Sequence, residues 1–196
     1  MISALLITLI SILSSYSNSN LPDSINDEAI CVSAEEKELY DIINQYRTSK
    51  RLAAIPYSAK LTQVAQAHAR DLADHYDFDQ ANECNPHSWS AHGKWTSCCY
   101  TNDHKAAECM WKKPEEIAGY KGYGYEIAYF SSAGANAQEG LEGWQKSPHH
   151  NPLLINTGIW KPIKWQGIGI GIYEEYAVVW FGEVKDENSS LELCDE

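Results

Sequence analysis

Six cysteines carry the first chemistry in this 196-residue chain: Cys31, Cys84, Cys98, Cys99, Cys109 and Cys194. An even number supports three disulfides in an oxidising compartment, and many pairings are open to six thiols. Adjacent Cys98 and Cys99 suit each other badly, because neighbouring Cα atoms sit about 3.8 Å apart, closer than a relaxed bridge allows. The expectation is that Cys31 joins Cys194 and ties the two ends. The other four then staple residues 84–109. Zinc is the rival use of four close cysteines. Structural zinc sites favour short paired spacings such as C-x-x-C, which this run lacks.

Other reactive patterns are weaker. No H-E-x-x-H occurs, and no Ser-His-Asp set can be assigned. The spacing Gly167-x-Gly169-x-Gly171 lacks the G-x-G-x-x-G form and no helix follows, so it is not a phosphate loop. His68 shares a helical apolar face with Leu61, Val64, Ala65, Leu72 and Ala73, and reads as a satisfied core histidine. Asn188-Ser189-Ser190 is a glycosylation sequon, which an exported chain could use.

The ends and the charge set the context. Residues 2–13 are almost wholly apolar and small serines follow, the pattern of a secretory signal over residues 1–19. The run is too short to span a membrane, which takes about 20 apolar residues. Its n-region has no Lys or Arg. About 175 residues remain after cleavage, enough for one domain with a real core. The domain reading is an N-terminal extension over 20–32, a globular domain over 33–185 and a tail over 186–196. The net charge is −12. That acidity argues against nucleic acid and against stable membrane insertion, since phosphate backbones and anionic lipid surfaces attract Lys and Arg clusters.

The elements that must position these groups follow from periodicity. Ser33 and Glu36 form a capping box, and Leu39, Ile42, Ile43 and Tyr46 continue at helical spacing, so a helix covers 34–49. A second helix covers 59–75. Residues 77–113 read as a long stapled loop with one short helix after Asp103, ending before Pro114. Gly124 to Phe130 reads as a strand. Asn136 opens a helix with Ala137, Leu141 and Trp144 on one face, ending near Pro148. Gly140 and Gly143 weaken that helix and signal close packing or ligand approach. Gln166–Tyr173 alternates glycine with isoleucine, a strand with one bare face that lets another element lie close. Glu174-Glu175 turns the chain and 176–184 returns as the partner strand. The fold class is α+β, an antiparallel sheet with helices packed on its faces.

In their order these residues resemble the CAP superfamily, which includes cysteine-rich secretory proteins, insect venom antigens and plant pathogenesis-related proteins. The opening match is Asn44, Tyr46-Arg47 and Leu61-x-x-Val64-Ala65-x-x-His68-Ala69. His87-Ser88, Gly124-Tyr125-Glu126-Ile127 and Trp144-x-x-Ser147-Pro148-His149-His150 follow, and Val178-Val179-Trp180-Phe181-Gly182 closes it. Within the superfamily the chain most resembles venom allergen-like proteins of parasitic worms. The resemblance implies an α-β-α sandwich with a three-stranded antiparallel core sheet. It also implies a cavity of two His and two Glu, here His87, Glu126 and His150. The set is degenerate. Ser147 stands where many members carry Glu, Tyr125-Glu126-Ile127 replaces Gly-Glu-Asn, and the Gly-His-x-Thr-Gln segment is absent. No cofactor is therefore expected, with a weakly held divalent ion at the cavity as the alternative.

The functional expectation is a secreted, non-catalytic lipid binder, taking fatty acids or sterols as the resemblance implies. Leu39, Ile42, Ile43, Tyr46, Leu141 and Trp144 are the candidate lining of an acyl channel. Tyr123, Tyr125 and Phe130 follow the aromatic spacing proposed for sterol loops in the family. The alternative is an extracellular module that docks host proteins through some of its seven Trp and twelve Tyr. A hydrolase with Glu126 as base and His150 as its partner is the third reading. The chain is expected to be a monomer or weak dimer.

Overall fold

A computed structural model describes residues 30–76, 83–187 and 189–195. The signal over 1–19 and the sequon asparagine Asn188 lie outside the described residues. The elements run α1 (Ala34–Ser49), α2 (Ala59–His75), α3 (Ala107–Ala118), β1 (Gly124–Phe130), α4 (Ala137–Lys146), α5 (Asn151–Leu154), a 3-10 turn (Gly158–Trp160), β2 (Gly167–Tyr173) and β3 (Tyr176–Gly182). The capping box at α1 is present: the Ser33 amide donates to Glu36 Oε2 at 2.8 Å and the Glu36 amide donates to Ser33 Oγ at 3.1 Å.

The three strands form one antiparallel sheet in the order β1-β3-β2. The last strand in sequence is therefore the central one, and every residue of β3 is buried. Strand alternation divides the core in two. Val179 and Phe181 of β3 join Ile127, Ile168 and Ile170 on one face, under Leu39 and Ile43 of α1 and Leu141 and Trp144 of α4. Val178 and Trp180 face the other way, against Leu61, Val64, Ala65 and Leu72 of α2 and Met110 of α3. This is the expected α-β-α sandwich.

The bare glycine face of β2 receives α2. A Cβ at Gly169 would lie 2.0 Å from the Leu61 carbonyl carbon, and one at Gly171 would lie 2.4 Å from that of Ala65. Backbone meets backbone there, so α2 is held at a fixed height above the sheet.

Helix α3 departs from the expected stop. It continues through Pro114 to Ala118. Pro114 deprives the Met110 carbonyl of its helical donor, yet the proline is buried. Its ring fills the space over Gly124, where a Cβ would come within 2.4 Å of Pro114 Cγ. Packing on β1 therefore outweighs the lost hydrogen bond. Gly119, at φ 63°, ends the helix in the left-handed region.

The bridges are Cys31–Cys194, Cys84–Cys99 and Cys98–Cys109. The first joins the ends, as expected. The other two interlock, with Cys109 in the first turn of α3, and send the adjacent cysteines to different partners. The tail is also tied down through buried Asp186, which accepts from Ser58 Oγ at 2.7 Å and from the Lys60 amide at 3.0 Å.

Candidate functional site

Glu126 sits at the centre of the candidate site. Its position in β1 turns the side chain toward the α2 face of the sheet, where it is 4% exposed. Both carboxylate oxygens are engaged by imidazoles. His68 Nδ1 of α2 contacts Oε1, and His87 Nδ1 of the stapled loop contacts Oε2 at 2.7 Å. The other ring nitrogen of His68 contacts the Ser88 carbonyl at 2.9 Å. A carbonyl only accepts, so Nε2 carries a hydrogen. The carboxylate requires one on Nδ1 as well, which makes His68 an imidazolium.

The electrostatics agree with that assignment. Burial works against both charges, and attraction between them overcomes it. The Glu126 carboxyl is held down to about 2, because His68 and then His87 stabilise its anion more than desolvation disfavours it. Burial alone would lower the His68 pKa. The Glu126 charge and hydrogen bond, the Ser88 carbonyl and Asp71 together raise it. Trp89 completes the enclosure, stacked on the His68 ring at 4.0 Å.

The arrangement is a clasp. His68 and Asp71 lie three residues apart on α2 and both hold the stapled loop. His68 takes the Ser88 carbonyl, and Asp71 accepts from the Ser90 amide at 2.8 Å and from the Ser90 hydroxyl. Trp89, between these anchors, pairs with Cys98 in a short antiparallel bridge, its carbonyl accepting from the Cys98 amide at 3.0 Å. The loop is thus fixed to the helix by polar contacts and an aromatic plug, as well as by its disulfides.

The sequence-based residues are gathered unevenly. His87 and Glu126 meet. His150 stands at the start of α5, near enough to feel both charges. Burial first, then the charges of His87 and His149, push its pKa down to about 4 against the pull of Glu126. His150 is therefore neutral at physiological pH, and the histidines bonded to Glu126 are His68 and His87. His68 is the satisfied core histidine that its helix face implied, and its partner is the cavity glutamate. A polar ring on a buried helix face needs a buried partner. Ser147, in the family's glutamate position, accepts from the amides of His149 and His150 at 3.3 Å.

These residues do not fit a tightly bound divalent cation. Glu126 has no oxygen free of an imidazole, and Ser147 supplies no second carboxylate. Among the described residues no group of three His, Cys, Asp or Glu is arranged to hold a metal ion.

The channel candidates pack as core. Leu39, Ile43, Leu141 and Trp144 are buried in one cluster, with Ile42 and Tyr46 at its edge. The Tyr46 hydroxyl donates to Asn151 Oδ1 at 2.9 Å. Gly143 lies on the Tyr129 ring, where a Cβ would sit at 3.0 Å, so close packing accounts for it.

The sterol-loop grouping needs correction. Tyr125 and Phe130 lie on strand β1, as the strand reading of 124–130 requires. An odd separation of five residues puts them on opposite faces of the sheet. Tyr125 packs on Trp160 and Trp165, Phe130 on Tyr176, and Tyr123 stacks on Trp111. The three cannot line one slot.

The fold and this order of residues define a known class. The chain belongs to the CAP family, the cysteine-rich secretory protein family, whose model matches residues 40–180. Among solved structures it is similar in shape to bacterial proteins. An extracellular protein containing an SCP domain from Bacillus anthracis is 17% identical with a TM-score of 0.51, the match covering 76% of this chain and 40% of that one. The chain thus spans less than half of the Bacillus protein. An outer surface protein of Borrelia burgdorferi is 19% identical with a TM-score of 0.52, the match covering 77% of this chain and 93% of that one. Likeness at these identities speaks for the fold alone. No curated protein matches the chain.

Proposed function

We propose that this protein is a secreted, non-catalytic binding module for hydrophobic small molecules, fatty acids or sterols. The observation that carries the non-catalytic reading is the state of Glu126. A general base works best with a pKa near the operating pH and an unoccupied oxygen. Glu126 is held at about 2 with both oxygens engaged. All six cysteines are bridged, which removes them as nucleophiles.

The lipid reading moves from the helix pair to the surface. Ile159 is 81% exposed at the tip of the 3-10 turn, beside Trp160. Trp160 continues inward through Trp165 and Tyr125, with ring centroids 5.2–5.6 Å apart. An aromatic ledge with an aliphatic tip suits an acyl chain or a sterol ring. The resemblance to venom allergen-like proteins extends the reading to a host interface. Titration with a fluorescent fatty acid and a fluorescent sterol tests it, alongside peptidase and esterase assays. Saturable binding with no turnover supports the proposal. Turnover lost in Glu126→Gln refutes it.

A second reading, docking of a host protein, is favoured by the stacked Trp111–Tyr123 pair, whose Tyr123 is 55% exposed. Aromatic pairs of this kind are common interface anchors.

A further inference from the structure

The end of α1, the segment 52–56 and residues 156–166 line an open groove of about 550 Å³ with no carboxylate in its lining. Its charged residues are Arg47, Lys161 and Lys164. In a chain with 27 acidic and 15 basic residues, that is a local inversion of the overall charge.

Arg47 is the informative member. It is 5% exposed. Its Nε donates to the Ala53 carbonyl at 3.2 Å, and its Nη1 donates to the Leu154 carbonyl and to Asn156 Oδ1. All three acceptors are neutral. Arg47 has no ion pair among the described residues, and its Nη2 makes no hydrogen bond there. Burial lowers its pKa to about 10, so the guanidinium stays charged at physiological pH. The negative end of the α1 dipole balances part of that charge. A buried cation without a counter-ion is otherwise costly, and a planar guanidinium with a free edge is suited to an oxyanion. Lys161 and Lys164 are exposed and also lack ion pairs among the described residues.

The rest of the lining includes Leu52, Ile163 and Trp165. Trp165 leads to the Trp160 ledge, its ring 5.6 Å from that of Trp160. Charge and apolar surface therefore meet in one groove.

We infer that this groove binds an oxyanion, phosphate or carboxylate, through Arg47, Lys161 and Lys164, with Trp165 and Ile163 placed to take the first carbons of an attached chain. The anion is either free or the headgroup of a lipid. In the second case the inference names the headgroup end of the lipid reading and rests on that reading.

Three probes distinguish the cases: inorganic phosphate, octyl phosphate and octyl glucoside. Binding is followed by the NMR signals of the Trp165 indole N–H and the Arg47 Nε–H. Saturable shifts with either phosphate are expected. The double variant Lys161→Gln/Lys164→Gln should weaken them about tenfold or more, which is about 1.4 kcal/mol, without lowering the melting temperature. Arg47→Lys, which keeps the charge and loses the planar edge, should weaken them too if it folds. Binding of inorganic phosphate alone supports the site and counts against the lipid reading. Binding of octyl phosphate alone supports the site with a lipid headgroup as its source. Octyl glucoside binding as well as octyl phosphate overturns the anion site and leaves the lipid reading standing. No shift with any probe, or shifts unchanged in the double lysine variant, also overturns it.

Discussion

Replacing Glu126 by Gln should cost stability in a pH-dependent way. The variant keeps the shape and removes the charge. The amide oxygen can still accept from His68 Nδ1–H, but it carries no charge to stabilise the buried imidazolium. The wild-type magnitude follows from the carboxyl pKa, held at about 2 against an ordinary 4.5. That depression corresponds to about 3 kcal/mol. His68 reports the same attraction from the other side, so the figure is counted once. The sign is clear. A depressed carboxyl stabilises the fold above pH 4.5, and that contribution disappears as pH falls toward 2. The raised His68 stabilises below its ordinary 6.5 and loses its contribution as pH rises through its folded value. The clasp is therefore strongest between about pH 4.5 and 6.5. Urea unfolding followed by tryptophan fluorescence across pH 2–8 measures this. Glu126→Gln should lose about 3 kcal/mol near pH 6, roughly 6–12 °C in melting temperature for a domain of this size. Its acid limb should also flatten. An unchanged urea midpoint with an unchanged acid limb would refute the buried ion pair.

Three further outcomes follow from the geometry. Gly171→Ala drives a Cβ to within 2.4 Å of the Ala65 backbone and should cost at least about 3 kcal/mol, whereas Gly140→Ala meets nothing closer than 3.6 Å and should gain up to about 1 kcal/mol of helix propensity; thermal melts of the pair compare them. Opening Cys31–Cys194 with Cys31→Ser/Cys194→Ser releases a closure of 163 residues and should cost about 5 kcal/mol by chain entropy, read as a lower urea midpoint under non-reducing conditions. Chelation with EDTA should leave the melting temperature unchanged, and zinc titrated into apo-protein should bind more weakly than to Ser147→Glu, which restores the missing carboxylate; calorimetry decides both.

Helices and strands were legible where burial imposes a period. The glycine–isoleucine alternation of β2 announced a bare face, and the backbone of α2 lies against it. The end-joining bridge was legible because Cys31 and Cys194 stand apart from the other four. Pro114 misled because its local effect is overridden by packing on Gly124, a contact that no window of sequence contains. His68 is the satisfied core histidine that its helix face implied, but the sequence could not name its partner. Glu126 lies 58 residues away, and only the fold brings them together. The aromatic spacing of Tyr123, Tyr125 and Phe130 matches a family pattern, but within strand β1 it puts Tyr125 and Phe130 on opposite sides of the sheet. Arg47 was visible only as part of the family motif. Its lack of a counter-ion is a property of the folded surroundings.

Native mass spectrometry of the protein secreted from eukaryotic cells, with lipid extraction and hydrolase assays on the same sample, tests the binding reading most directly. A fatty acid or sterol that copurifies, or is taken up to about one equivalent, without turnover of peptide or ester substrates, is the predicted result. A bare protein mass at every lipid concentration, together with a hydrolase activity that disappears in Glu126→Gln, would contradict it.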